Sequence, residues 1–303
     1  MLANKLKIGD TIGVIAPDKA LKNKDIKYLE NATKYFESLG LKVKYGKYLF
    51  SEDNYCAGTP KERAKDLNDM FSDKEIKAIF TVKGGDMVNG ILPYIDFENI
   101  KDNPKIFLGM SDITVLLCAI NKMTGLVTFH CQDYVWFGKD EVTDYDKNEI
   151  IEKLFNGNKK INPYGERKFY EFNKEEVKGK IYGTNVRCLL KLLGTPFMPD
   201  LEDAVLFLEG FHSNIIQWNA MLEQYNQMNA FNKAIVFGYI YQLQQIEENE
   251  KMIVDELRKI NSGVPVVKTN DFGHMHANSI IPIGAEVIIN ANNQSMVIND
   301  YLK

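Results

Sequence analysis

A chain of 303 residues, 45% hydrophobic and 26% charged, has the length for two domains and the composition of a soluble globular protein. Its 37 basic and 41 acidic residues leave a net charge of -4, which points to neither nucleic acid nor an anionic membrane as partner. No run approaches the roughly 18 apolar residues of a membrane span, and the N-terminal stretch lacks the apolar core of a signal peptide.

The first half alternates short apolar runs with helical patterns. Thr11 to Ala16 is expected to be a buried strand ended by Pro17. Ile26 to Leu39 has helical periodicity and stops at Gly40. Leu41 to Tyr45 alternates as a strand, Lys61 to Met70 is a helix, and Ile76 to Val82 is a strand leading to Gly84-Gly85. A helix near Asn89 to Ile95, a strand at Ile106 to Met110 and a helix after Ser111 complete the rhythm. Such a βαβα order implies a parallel sheet covered on both faces, with ligands at the carboxyl ends of its strands.

From about Tyr134 to Val177 the pattern weakens, and the segment is expected to be a linker with one helix at Asn148 to Phe155. Domains are therefore expected at 1–140 and 178–303, joined by 141–177. The second contains helices at Asn185 to Leu193, Ile215 to Met228 and Asn249 to Lys259. Its strands are expected at Ala204 to Glu209, Ala234 to Tyr239, Pro265 to Lys268, Glu286 to Asn290 and Ser295 to Ile298.

The stretch Lys-Ile-Phe-Leu-Gly-Met-Ser-Asp-Ile-Thr, residues 105–114, puts Ser111 between a strand and a helix with no loop between them. That is the geometry of a nucleophile elbow, although the second glycine of Gly-x-Ser-x-Gly is missing. Helix N–H groups there would favour a developing oxyanion. A plain N-cap is the alternative, because Ser and Asp both favour helix starts.

A catalytic serine needs a base, and the base an orienting acid. The four histidines are His130, His212, His274 and His276. His274 and His276, two apart, would face the same side of a strand, which also suits a metal; no carboxylate or cysteine stands beside them at ligand spacing, so no metal is expected. Glu209 ends the apolar run Ala-Val-Leu-Phe-Leu, where a carboxylate is costly without a partner. The four cysteines, Cys56, Cys118, Cys131 and Cys188, show no Cys-x-x-Cys spacing, so free thiols in a reducing cytoplasm are expected.

Five segments, in order, resemble the LD-carboxypeptidase family of serine peptidases, and most closely its microcin C7 immunity-like branch. They are IGDTIGVIAPDKA, IFTVKGGDMVNGILPYID, NPKIFLGMSDITVLLCAI, GKIYGTNVRCLLKLLGTPFMPDLEDAVLFLEG and DFGHMHANSIIPIGAEV. The resemblance implies an α/β fold. Its N-terminal domain would have a parallel sheet of the glutamine-amidotransferase or flavodoxin-like kind, and its C-terminal domain would be mixed α/β of the swivelling β/β/α type. It also implies a Ser-His-Glu triad of Ser111, His274 and Glu209, with oxyanion N–H groups from Gly85 and Asp112.

Gly84, Asp86 and His276 are the candidates for the substrate pocket; the roles of His130, Cys131 and His276 stay open. Lys83-Gly84-Gly85-Asp86-Met87 stands where many members have Arg-Gly-Gly-Tyr-Gly, and His130-Cys131-Gln132-Asp133 replaces a Gly-Pro type segment. The implied activity is that of an LD-carboxypeptidase on murein-type peptides, with no cofactor and as a cytoplasmic homodimer. A microcin-immunity-like hydrolase of aminoacyl or peptidyl nucleotides is the alternative. A catalytically silent peptide-binding protein is a third reading, and a cysteine enzyme is excluded because Ser111 holds the elbow.

Overall fold

The computed structural model describes residues 1–211, 214–245, 247–261 and 263–303; His212 lies outside them. The first sheet forms as its apolar runs dictate. Strands β1 (Thr11–Ile15), β2 (Lys42–Tyr45), β3 (Ile76–Thr81), β4 (Ile106–Gly109) and β5 (Thr128–His130) pair in parallel. Helices α1 (Asn23–Ser38), α2 (Pro60–Ser72), α3 (Phe97–Asp102) and α4 (Thr114–Thr124) lie between them in the chain. Local chemistry sets these boundaries. Thr59 accepts the Glu62 N–H while Glu62 returns a bond to the Thr59 N–H, with Pro60 opening α2. Gly125 closes α4 in the left-handed region, at φ 74°.

The second sheet contains β6 (Lys168–Tyr170), β7 (Glu176–Asn185), β8 (Ala204–Gly210), β9 (Ala234–Ile240) and β10 (Val266–Gly273). After β11 (Ile281–Ile283), β12 (Glu286–Asn290) and β13 (Ser295–Ile298) complete it, in the order β13-β12-β7-β8-β9-β10-β6. Strands β7 to β10 run parallel, and the outer strands are antiparallel. β11 leaves this sheet and pairs antiparallel with β5, giving the first sheet the order β11-β5-β4-β3-β1-β2. The C-terminal part of the chain thus supplies an edge of the N-terminal sheet.

Three readings of local structure are corrected. The expected helix at Asn89 to Ile95 is a 3₁₀ helix, Val88–Tyr94, with Pro93 inside it. The helix expected at Asn185 to Leu193 is a short α-helix, Val186–Leu190, capped by the Asn185 side chain, and it follows the unforeseen ten-residue strand β7. The segment after Tyr134 is bound into the molecule. Tyr134 and Phe137 stack on Phe36 and Tyr35 of α1, with ring centroids 5.0 and 5.6 Å apart. Asp146 and Glu149 of the helix Asp144–Glu149 are buried and accept bonds from Asn278 N–H (2.8 Å) and Ser279 O–H (2.7 Å). Arg167 pairs with buried Asp271 at 2.7 Å. Polar contacts across the chain hold this segment, so it carries little apolar periodicity.

Candidate active site

Carboxyl ends of parallel strands from both sheets meet at one cleft of about 390 Å³. Ser111 follows β4, Gly84-Gly85 follows β3, Asn185 ends β7, and His274 follows β10; all line the cleft. Glu209, near the end of β8, reaches it through His274.

Ser111 has φ 61°, a conformation rare for a residue with a side chain. The turn lifts its side chain off the sheet edge while α4 begins at Thr114. The glycines around it are required by space. A Cβ on Gly84 would lie 2.7 Å from Ser111 Cβ, and one on Gly109 would lie 2.3 Å from Thr81 Oγ1. A Cβ on Gly85 would meet the Asp18 carboxyl at 2.7 Å. The di-glycine loop can therefore press its backbone directly against the nucleophile turn.

His274 Nδ1 lies 2.5 Å from Glu209 Oε2, and its ring stacks on Phe211 at 4.7 Å. Glu209 is fully buried, and its other oxygen accepts from Asn185 Nδ2 at 3.0 Å. Burial opposes ionisation of Glu209, but His274, His130 and Asn185 outweigh it and hold the carboxyl below its ordinary range. Burial likewise opposes a charge on His274; Glu209 and then Asp133 outweigh it and raise the imidazole above its ordinary value. A buried imidazole held by a carboxylate on one nitrogen presents the other to the cleft as a proton acceptor.

The second histidine of the pair goes elsewhere. Met275 between them takes φ 55°, so the segment is a turn and the two rings do not share a face as on a strand. His276 stacks on Tyr239 at 4.5 Å and meets Tyr164 edge-on at 5.1 Å. It is not among the residues lining the cleft, whereas Gly84 and Asp86 are. His130 is buried behind the site, between Thr184 Oγ1 (2.7 Å) and Asn278 Oδ1 (3.1 Å). Cys131 is also buried, and burial pushes its thiol well above the ordinary value.

Sequence reasoning missed several groups here. Asp133 lines the cleft, and burial pushes its carboxyl to a pKa of about 7. Four cations rim the cleft. Lys83 pairs with Asp25 at 2.5 Å and Arg187 with Asp86 at 2.7 Å. Lys19 and Lys139 lie over the rings of Tyr55 and Trp136, at 4.8 and 4.7 Å. Their only sequence signal was scattered charge, three of them in loops and Arg187 in the short helix Val186–Leu190.

Two parallel-rich sheets meeting over a strained serine and a buried histidine–carboxylate pair describe a serine-hydrolase scaffold. Residues 12–131 match the LD-carboxypeptidase N-terminal domain and residues 178–289 the LD-carboxypeptidase C-terminal domain. The chain belongs to the LD-carboxypeptidase family, and it is a serine-type hydrolase of the carboxypeptidase class. It is 33% identical to a probable murein peptide carboxypeptidase of Bacillus subtilis, over 97% of this chain and 92% of that one. It is 28% identical to the microcin C7 self-immunity protein MccF of Escherichia coli, over 99% and 96% of the two chains. The solved structure of an MccF-like protein from Bacillus anthracis superposes with a TM-score of 0.90 at 29% identity, covering 99% of both chains.

Proposed function

We propose that Ser111, His274 and Glu209 form a catalytic triad that removes the terminal D-amino acid from murein-type peptides. The observation that carries this reading is the Glu209–His274 pair in the cleft that also holds Ser111 at its strained turn. Ser111 Oγ attacks the scissile carbonyl carbon as the free ring nitrogen of His274 takes its proton. The N–H groups of Gly85 and Asp112 receive the oxyanion. The C–N bond then breaks, and His274 returns the proton to the leaving amine. Water, deprotonated by the same imidazole, attacks the acyl carbon, the ester C–O bond breaks, and His274 returns the proton to Ser111 Oγ. Glu209 fixes the tautomer and stabilises the imidazolium. The rim cations Lys19, Lys83, Lys139 and Arg187 suit a substrate that carries carboxylates.

The nucleophile comes from the segment 1–140 and the acid and base from 178–303, so on this reading neither is active alone. The four free buried cysteines suit a reducing cytoplasm. The homodimer implied by the family is tested by sedimentation.

A second reading, hydrolysis of aminoacyl or peptidyl nucleotides, is supported by the similarity to MccF, solved in complex with aspartyl sulfamoyl adenosine, at 25% identity and a TM-score of 0.87. One experiment separates the readings: a murein tetrapeptide and an aminoacyl sulfamoyl adenosine are given to the same preparation and followed by mass spectrometry. Release of D-alanine from the tetrapeptide is expected. Cleavage of the adenosine compound alone would favour the second reading, and binding without cleavage of either would make the protein a silent peptide binder.

A further inference from the structure

Two buried carboxyl groups lie beneath the di-glycine loop, and the triad chemistry gives them no role. Asp18 follows β1 and Asp112 follows the nucleophile; both are 0% exposed. They take successive N–H groups of the same loop, those of Met87 and Val88, which brings the two carboxyls together beneath it as hydrogen-bonding partners. Two carboxyl groups make such a bond only when one of them carries a proton.

The partners show which one. Asp112 accepts from the Lys191 ammonium on Oδ1 and from Val88 N–H at 2.9 Å on Oδ2, and both bonds favour its charged form. Asp18 accepts a single N–H, that of Met87, shared between its oxygens at 3.1 and 3.2 Å. Arg63 lies near, but its Nη1 donates to the carbonyls of Pro17 (2.7 Å) and Met87 (3.3 Å). The proton therefore sits on Asp18, whose O–H donates to Asp112.

The pair also grips the oxyanion loop. Asp18 packs so closely on Gly85 that a Cβ there would collide with its carboxyl, and it holds the Met87 N–H. Asp112 holds the next N–H, that of Val88. One proton thus bridges the loop that carries Gly85 and the turn that carries Ser111.

We propose that Asp18 is a positioning residue: its carboxyl O–H, donated to Asp112, locks the di-glycine loop onto the nucleophile turn and keeps a second negative charge out of the oxyanion site. The proposal rests on the triad reading above. Loss of the proton would place two carboxylates in one buried site. Their repulsion would loosen the loop, and the added charge would oppose the developing oxyanion. Burial, with the bond to and charge of Asp112, raises the Asp18 carboxyl to about 7. Asp112 is held below its ordinary value despite burial, by Asp18, Lys191 and Val88.

Other ionisable groups face the pair from the elements packed against it. Arg63 of α2, Lys19 beside Asp18, and Lys191 and Arg187 beyond β7 are cations. Asp86, on the rim, is paired with Arg187. Burial raises the thiols of Cys56, whose Sγ is 4.0 Å from Asp18 Oδ1, and of Cys188, so both stay neutral.

The test is the pH profile of kcat/KM on a D-alanine-releasing peptide for the wild type, Asp18→Asn, Lys191→Met and Ser111→Ala, with thermal melts to establish folding. The wild type is expected to lose activity on the alkaline side, tenfold per pH unit, with an apparent pKa of about 7. In Asp18→Asn the amide keeps a donor towards Asp112 and an acceptor for Met87, but it cannot ionise. Its alkaline limb disappears and its acid limb stays. Its kcat falls by about 10-fold with KM unchanged, short of the ~10²–10³ that loss of an oxyanion donor costs. In Lys191→Met the missing cation makes the shared proton harder to remove, so the alkaline limb moves to higher pH. This readout stands even if Asp18→Asn fails to fold. An Asp18→Asn enzyme that keeps the wild-type alkaline limb, or a limb in Lys191→Met that stays put or moves down, overturns the proposal. If Ser111→Ala still turns over substrate, the triad reading falls instead.

Discussion

The two sides of the cleft are built by different means. On the nucleophile side, space and backbone conformation do the positioning: a serine at φ 61°, with glycines at 84, 85 and 109 where any side chain would collide. On the acid–base side, side-chain hydrogen bonds do it. Asn185 holds Glu209, Glu209 holds His274, and Asn278 holds both the N–H and the C=O of Gly273 beside it, at 2.7 and 2.8 Å. Damage to the serine or its glycines should therefore act on the rate alone, while the Asp18–Asp112 pair beneath them adds a pH dependence of its own. Damage to the second side should also change pH dependence and stability.

The largest effect is expected at the nucleophile. Ser111→Ala should lower kcat on the order of 10⁶. Its unfolding midpoint should stay at or above that of the wild type, since methyl-bearing alanine also strains at φ 61° but makes no new contact. Wild-type turnover in this variant would remove the serine from the mechanism and leave the first side with no chemical role.

His274→Ala comes next, with a loss of at least ~10³ in kcat. His276→Ala should cost far less, because its ring packs between Tyr164 and Tyr239 and does not line the cleft. The acid limb of kcat/KM should lie above the ~6.5 of an ordinary histidine, since a raised base must be taken to higher pH before it is neutral. Glu209→Gln removes the charge that raises it, so the limb should move down. The same limb in both enzymes would show that the base is not held by Glu209.

Gly84→Ala tests the steric side directly. Its Cβ would lie 2.7 Å from Ser111 Cβ, and relieving that clash takes a shift of about 1 Å, which can cost about 10² in kcat. KM should change little. A fall in stability without a fall in rate would mean that the close packing serves the fold and not the serine.

The same contrast explains what could be read from the sequence. Ser111, the glycines and β1 to β4 were legible because their signals are local: an apolar run, a break, a helix pattern. Glu209 was legible because a carboxylate on a buried strand is conspicuous. Asn185, Asp146 and Asn278 were not, since their meaning lies in partners far along the chain. Asn185 lies 24 residues from Glu209, and Asp146 lies 132 from Asn278. Strand β7 was hidden by its exposed, charged first half, and β11, Ile-Pro-Ile, is a three-residue edge strand that proline disguises. The His274–Met275–His276 segment misled because one residue at positive φ separates two rings that a strand would have aligned.

The smallest effect at neutral pH is expected at His130, where the second side joins the first sheet. The Asn278 side chain donates its Nδ2 to Gly273 O and accepts Gly273 N–H on Oδ1, which fixes its orientation. His130 Nε2 therefore donates to that same Oδ1, and Nδ1 accepts from the Thr184 hydroxyl. The imidazole is neutral and fully buried, and burial pushes its pKa down to about 4. The unfolded chain, with an ordinary value of ~6.5, takes up this proton first as pH falls. Stability should thus be complete above about 6.5 and decline between there and about 4, by about 3 kcal/mol for this one group. His130→Gln keeps a donor and an acceptor but cannot titrate. Its urea midpoint should change modestly at pH 7.5 and fall less steeply than that of the wild type as the solution is acidified. Parallel declines in the two proteins would mean that His130 already finds a proton in the folded state, and that this joint between the sheets is wetter than its burial indicates.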